Sequence, residues 1–164
     1  MHLTEVKGWS LASYVALMPI YTIVTIAVTF ATGWAVDRFG VSRIVPLVLL
    51  PFGISFLIFA YTGSILGAGF SLAIFAVGQG MQSTAVTAFW AVFYGTRHLG
   101  EIKSAVAALM VFGSAIGPGV SGALIDFGIE FPAQMIPYSV FYFLASACVW
   151  IGIFRYQSDI IADA

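Results

Sequence analysis

Charge is scarce in this chain, and its absence from long stretches is the most informative property of the sequence. Lys, Arg, Asp and Glu make up 8% of the 164 residues, whereas hydrophobic residues make up 61%. In an ordinary soluble domain about a quarter of the residues are charged. So few charges cannot cover so large an apolar surface in water. The composition therefore excludes an ordinary water-soluble domain.

Cysteine is nearly absent as well. The single cysteine, Cys148, lies inside an apolar stretch, which excludes a disulfide framework and a cysteine metal site within one chain. The net charge of -1 gives no electrostatic footprint for nucleic acid, so nucleic acid is not expected as a partner. The N-terminus has no basic segment followed by a short apolar core and a cleavage site, so no signal peptide is predicted.

Long uncharged stretches occur five times and predict membrane spans. Roughly twenty apolar residues in a helix cross the hydrocarbon core of a bilayer. Only helices or closed barrels satisfy their backbone there, and the alternation typical of barrel strands is missing. We predict an all-α, polytopic membrane protein with a single transmembrane domain over residues 1–164 and the lipid bilayer as its partner. The predicted spans are residues 9–36, 44–61, 65–93, 104–125 and 133–154.

Proline occurs near the start of the first two spans. Pro19 lies inside the first predicted span, where we expect it to kink the helix, because proline removes a backbone hydrogen bond. Pro46 and Pro51 lie one turn apart near the start of the second span.

The basic residues predict the orientation, because cytoplasmic loops carry an excess of Lys and Arg. Five of the six fall on one side of a five-span zigzag, and Lys7 falls on the other. We therefore expect a multi-pass protein of the cell (plasma or inner) membrane with its N-terminus outside and its C-terminus in the cytoplasm. An odd number of spans with an outside N-terminus and no signal peptide also suggests that the chain begins within a larger protein. The five residues on the cytoplasmic side are Arg38, Arg43, Arg97, Lys103 and Arg155.

A glycine-bounded charged loop follows the first span. Gly33 allows another backbone to approach closely, and Gly40 permits a tight turn. Asp37 is a carboxylate suited to the positive N-terminal end of a neighbouring helix, while Arg38 and Arg43 anchor the loop on the cytoplasmic side. A generic polar loop is the alternative interpretation.

The fourth span carries a glycine-proline string. Gly113 and Gly117 form a GxxxG pair, which is typical of a close-packing helix face, and Gly122 lies further along. Pro118 predicts a bend. A tightly packed, bent helix with no further role is the alternative to a functional element.

Polar side chains within the spans are the candidates for a substrate path. Gln79, Gln82 and Ser83 lie three and four residues apart, on one helix face. Buried amides need partners in a membrane, and substrate or neighbouring helices can supply them. Thr22 and Thr25 begin a stripe that continues through Thr29 and Thr32, although threonine hydroxyls also bond back to their own helix.

Ionisable residues are missing from all five spans, which leaves no intramembrane group for proton coupling. The spans also contain no nucleophile–base pair and no cluster of metal ligands, so neither an enzyme nor a cofactor is expected.

These motifs together resemble the major facilitator superfamily. Residues 33–40 are similar to its loop signature Gly-x-x-x-Asp-Arg-x-Gly, except that Val41 and Ser42 stand where basic residues usually follow. The segment 94–104 looks like the cytoplasmic loop between the tenth and eleventh helices of bacterial members. The glycine-proline string resembles a signature that antiporters of this superfamily carry in their N-terminal half.

The resemblance implies twelve helices in two halves, with alternating access of a small solute between them. This chain would hold helices eight to twelve, and helices two to six are the rival register. Its first, third and fourth spans would line the cavity, residues 33–43 would form a conformational latch, and the missing N-terminal half would be the partner. The alternative function is a non-transporting membrane subunit or scaffold that associates through its small-residue helix faces.

Overall fold

The computed structural model describes residues 15–162, with side chains described for residues 15–155. Within this part the chain is helical and contains no strand. Short connections make successive spans antiparallel. The elements are α1 (Met18–Phe39), α2 (Val41–Ile44), a 3-10 turn (Val45–Leu47), α3 (Leu50–Tyr61), α4 (Ile65–Tyr94), α5 (Leu99–Asp126) and α6 (Phe131–Ala162).

Five segments of the described chain are long and apolar enough to cross a membrane, which confirms the predicted all-α membrane fold with five spans. The third span starts at Ile65 as predicted, whereas the predicted starts of the second, fourth and fifth spans fall two to five residues inside the observed ones, because these helices begin earlier, in more polar turns. The predicted start of the first span, at residue 9, lies outside the described residues. The observed spans are Met18–Phe39, Val41–Tyr61, Ile65–Tyr94, Leu99–Asp126 and Phe131–Arg155.

Pro19 begins a helix and does not kink one, so the predicted kink is wrong. Helix α1 starts at Met18 and places Pro19 in its first turn. The first backbone N–H groups of a helix have no partner within it, so a proline there removes no hydrogen bond.

The second span is interrupted where its two prolines fall. Helix α2 ends at Ile44, a 3-10 turn contains Pro46, and α3 restarts at Leu50 with Pro51 in its first turn. Each proline lacks the N–H that a continuous helix would donate to the carbonyl oxygen four residues earlier in the chain. The hydroxyl of Ser146 on α6 donates to the carbonyl oxygen of Pro46 at 2.6 Å and so satisfies a backbone group at the interruption.

Helix α4 is the centre of the packed bundle. Helix α1 packs along one side of α4 and α3 along another, and α6 packs against α3. One hydrophobic cluster joins these helices where α1, α4 and α6 come to an end. We name this end of the bundle the arginine end, because Arg38, Arg43 and Arg155 lie in or beside it. The buried members of the cluster are Val41, Val45, Val48, Ala85 and Ile153.

Serine hydroxyls and aromatic rings fill the space between α3, α4 and α6. Ser55 and Ser71 are buried and each donates its hydroxyl to the other's backbone carbonyl, at 2.9 and 2.8 Å. The ring of Phe52 stacks on Tyr142 with centroids 5.3 Å apart and meets Phe75 edge-on at 5.0 Å. The two serine hydroxyls therefore join α3 to α4 and are themselves hydrogen-bonded in an apolar interior.

Helix α5 stands apart from this bundle. Every residue from 107 to 120 is exposed, so no face of this stretch is packed, and none of the described side chains of α5 is buried. It is fixed near its end, where Ser121 Oγ lies 3.2 Å from the Tyr138 hydroxyl and Gln134 Nε2 donates to the Ser121 carbonyl at 3.3 Å. A long apolar helix without a packed face needs lipid or further helices around it.

Candidate functional site

Five polar side chains lie along α1 and α4, four of them exposed and Thr29 half-buried, and we name this set the polar stripe. On α4 the stripe residues recur every four positions, so they share one helix face. Helix α1 runs alongside in the same direction and adds two threonines. The stripe consists of Thr22, Thr29, Gln79, Ser83 and Thr87.

The two helices approach closely at the stripe. Ser83 Oγ lies 3.3 Å from Thr29 Oγ1, and Thr84 Oγ1 donates to the Thr29 carbonyl at 3.4 Å. Gly80 makes this approach possible, because a Cβ atom there would lie 2.8 Å from the carbonyl oxygen of Thr25. The stripe is therefore one surface shared by α1 and α4.

The hydroxyl protons on α1 are used within that helix. Thr22, Thr25 and Thr29 each donate to the carbonyl four residues earlier, at 3.2, 2.8 and 2.8 Å. This is the back-bonding that the sequence left open as an alternative. Ser83 and Thr87 bond to backbone oxygens of α4 in the same way, at 2.8 and 3.1 Å. The hydroxyls of the stripe therefore present mainly oxygen lone pairs outward.

The amide of Gln79 supplies the donors of this surface. Gln79 is exposed, and its side chain has no hydrogen-bond partner within the described residues. Gln82, predicted on the same face, and Thr25 are half-buried, and Thr32 is buried. Of the predicted path residues, the structure thus leaves Gln79, Ser83 and Thr22 exposed.

The loop that carries the predicted latch residues is shorter than the sequence indicated, and the latch role itself stays a prediction. Asp37 and Arg38 lie in the last turn of α1, and Gly40, with φ of 83°, is the single residue between α1 and α2. Asp37, Arg38 and Arg43 are all exposed, and among described side chains none of them forms an ion pair. A Cβ atom on Gly33 would meet nothing within 4 Å among the described residues, so the close approach of another backbone to Gly33 stays a prediction.

The glycine-proline string lies on the part of α5 that stands apart. The helix continues through Pro118 to Asp126. A Cβ atom on Gly113, Gly117 or Gly122 would have no neighbour within 4 Å. The described chain therefore does not provide the helix that a close-packing face requires, and that role stays a prediction.

Other polar contacts were not predicted from the sequence. Ser139 donates to the Gly53 carbonyl at 2.7 Å, and both residues are buried. Gln134, 1% exposed, donates to the Ile129 carbonyl at 2.9 Å and closes the connection between α5 and α6. A polar residue in an otherwise apolar span indicates that a hydrogen-bond partner is needed, but the sequence does not indicate which residue that partner is. Thr87, in contrast, could have been predicted on the same helix face, because it lies four residues after Ser83.

The order of spans and the loop that ends at Gly40 agree with the family that the motifs resemble. The sequence profile described as Major Facilitator Superfamily matches residues 1–159. The chain belongs to the Major Facilitator Superfamily. This confirms the resemblance drawn from the motifs, and members of the superfamily are transporters of the membrane.

One curated relative is similar over most of this chain. It is Multidrug resistance protein 2 of Bacillus subtilis (strain 168), which is 31% identical over 152 residues. The aligned region covers 93% of this chain and 35% of the relative, so the chain spans about a third of that protein's length. No solved structure gives a significant match.

Proposed function

We propose that this chain is part of a transporter that moves a small solute across the cell membrane by alternating access, with the polar stripe lining the path. The exposed amide of Gln79 carries this proposal. An amide without a hydrogen-bond partner is costly in hydrocarbon, so Gln79 faces water, solute or another helix rather than lipid. The hydroxyls of Ser83 and Thr87 extend the same polar face along α4.

The rest of the path is expected from helices that this chain does not contain. The chain covers 35% of its relative, and α5 exposes residues 107–120 on every side. Both observations support a partner of further helices, which we infer to be the N-terminal half. That half would cover the stripe and the small-residue face of α5 around Gly113 and Gly117.

The arginine end is proposed to lie in the cytoplasm, with the N-terminus outside. Arg38, Arg43 and Arg155 at this end support that orientation through the positive-inside bias. Asp37 and Arg38 are exposed there without an ion-pair partner in the described chain. They are free to form a latch with the other half that is made in one state and broken in the other.

The chemistry of the stripe suggests the class of solute. Its hydroxyls present oxygen acceptors, Gln79 presents an amide, and no charged side chain belongs to it. Such a surface suits neutral organic compounds or cations with delocalised charge, which need little compensation from the protein. The name of the Bacillus subtilis relative, a multidrug resistance protein, supports this class of substrate.

A transport assay on the complete polypeptide tests the proposal. The reading frame that contains this chain is expressed in an efflux-deficient bacterium, and accumulation of ethidium is followed by fluorescence. We expect less ethidium in these cells than in cells with an empty vector. Gln79→Leu should raise accumulation towards the empty-vector level, whereas Phe141→Leu, at an exposed apolar position of α6, should not. Equal accumulation in the Gln79→Leu and unsubstituted cells would remove the stripe from the path.

The second candidate function is a non-transporting subunit that associates through small-residue helix faces. The exposed surface of α5, with Gly113 and Gly117 open, is the observation that favours it. Sizing of the purified chain in mild detergent distinguishes the two functions. A stable homo-oligomer that forms without the other half, combined with no ethidium efflux, would favour the subunit.

A further inference from the structure

A pocket of about 400 Å³ opens at the arginine end, away from the polar stripe. It lies between the interrupted start of the second span and the last turns of the fifth span, which ends at Arg155. We name it the Arg43 pocket. Its walls include Ser42, Arg43, Pro46, Leu47, Trp150 and Ile153.

The floor of the Arg43 pocket is held in place by buried contacts. Ser146 donates to the Pro46 carbonyl at 2.6 Å, which fixes α6 against the 3-10 turn. Ile153 is 9% exposed and belongs to the same hydrophobic cluster as Val45. The pocket is therefore a packed concavity rather than a gap between loosely placed helices.

The rim combines one unpaired cation with an interfacial aromatic ring. Arg43 is exposed and has no carboxylate within 4.0 Å among the described side chains. Trp150 is 55% exposed, and tryptophan is typical of the depth at which lipid headgroups lie. A guanidinium binds phosphate through two parallel hydrogen bonds, and the Ser42 hydroxyl beside it is a further donor.

We propose that the Arg43 pocket binds the headgroup of an anionic phospholipid. Its charge is complementary to a phosphodiester, and its walls of Leu47, Trp150 and Ile153 suit the glycerol and upper acyl chain that follow the headgroup. Free phosphate would leave these apolar walls unused. Arg155, exposed and two residues beyond Ile153, adds a second cation at the same end. The cytoplasmic leaflet is assigned from the proposed orientation, but the binding itself does not depend on transport.

Quenching of Trp150 by brominated lipid tests the proposal. Trp9, Trp34 and Trp90 are replaced by Phe, and the chain is placed in nanodiscs that contain increasing mole fractions of brominated phosphatidylglycerol or, in a parallel series, of brominated phosphatidylcholine. We expect phosphatidylglycerol to quench Trp150 at the lower mole fraction. Arg43→Gln should raise the mole fraction for half-maximal quenching about fivefold, the effect of one basic residue at a membrane surface. Arg43→Lys keeps the charge and should retain part of the preference.

Two controls separate the pocket from general surface charge and from small anions. Arg97→Gln removes an exposed arginine from the turn after α4 and should leave the preference unchanged. Millimolar inorganic phosphate should not compete with the lipid. The proposal is overturned by equal quenching from both lipids, by an unchanged preference in a correctly folded Arg43→Gln chain, by an equal loss in Arg97→Gln, or by displacement with phosphate. Because no step measures efflux, failure here is distinct from failure of the transport proposal.

Discussion

Gly80 of α4 lies directly against Thr25 of α1, so close that a Cβ atom on the glycine would be 2.8 Å from the threonine carbonyl oxygen. The same Cβ would lie 2.8 Å from the Cβ of Val28. Close approach of helix backbones at small residues is a main source of helix association in membranes. The contact sets the distance between the two helices and thereby aligns Thr29 with Ser83.

Gly80→Ala should separate α1 from α4. The added methyl group meets a backbone oxygen, which cannot move aside as a flexible side chain can. We expect a loss of about 1–3 kcal/mol in the free energy of unfolding, the usual cost of overpacking. Unfolding in SDS, followed by circular dichroism, measures it. Gly152→Ala is the matched control, since a Cβ there meets nothing within 4 Å, and a loss as large in that variant would contradict the explanation.

Ser146→Ala should weaken the attachment of α6 to the interrupted second span. The substitution removes the donor to the Pro46 carbonyl at 2.6 Å and leaves that buried oxygen without this partner. Hydrogen bonds between membrane helices contribute about 0.6–1.7 kcal/mol, and we expect a loss in this range in the same unfolding assay. Ser114→Ala should be neutral, because the Ser114 hydroxyl bonds within its own helix and is exposed. Equal stability of the two variants would show that the contact adds nothing.

Asp37→Asn should slow ethidium efflux by the complete polypeptide without lowering its amount in the membrane. The proposed latch needs a carboxylate at the arginine end, and the amide keeps the size but loses the charge. Asp126→Asn is the matched control, because Asp126 is also an exposed aspartate in the last turn of a helix, at the opposite end of the bundle. Efflux at the unsubstituted rate in Asp37→Asn would remove Asp37 from the latch.

Cysteine labelling in intact cells should reveal the orientation. In a Cys148→Ser background, Gly63→Cys lies in the connection before α4 and Thr96→Cys in the turn after it. If the arginine end is cytoplasmic, a membrane-impermeant maleimide labels the cysteine at 63 in intact cells. It should label the cysteine at 96 only after the membrane is opened. The reverse pattern would invert the proposed topology.

The sequence predicts local features well where chemistry acts along the chain. The end of the first span is one case, since Gly40 was expected to permit a tight turn and adopts a φ of 83°. The threonines are another, because back-bonding needs only the carbonyl four residues earlier in the same helix. The predicted kink at Pro19 was wrong because the effect of a proline depends on where the helix starts. The pattern of apolar residues does not locate a helix start to within one turn.

The sequence could not assign partners to polar groups that are distant along the chain. The hydrogen bonds of Ser139 and Ser146 could not be predicted, because their acceptors, the carbonyl oxygens of Gly53 and Pro46, are 86 and 100 residues away in the chain. The close contact at Gly80 could not be predicted either, because a glycine in an apolar helix occurs both where another backbone lies against it and where none does. Such pairings follow from which helix faces meet.

The sequence by itself determined that the described part of this chain forms five helices long and apolar enough to cross a membrane, with its arginines gathered at one end. The cost of burying charge and unpaired backbone in hydrocarbon leaves a chain of this composition no other arrangement. The tertiary structure decided which faces of those helices meet. It places Gly80 against Thr25, leaves Gln79 exposed beside them, and forms the Arg43 pocket where the second span is interrupted. Those features depend on packing between residues far apart in the chain, because in lipid the apolar pattern alone does not distinguish a helix-facing side from a lipid-facing one.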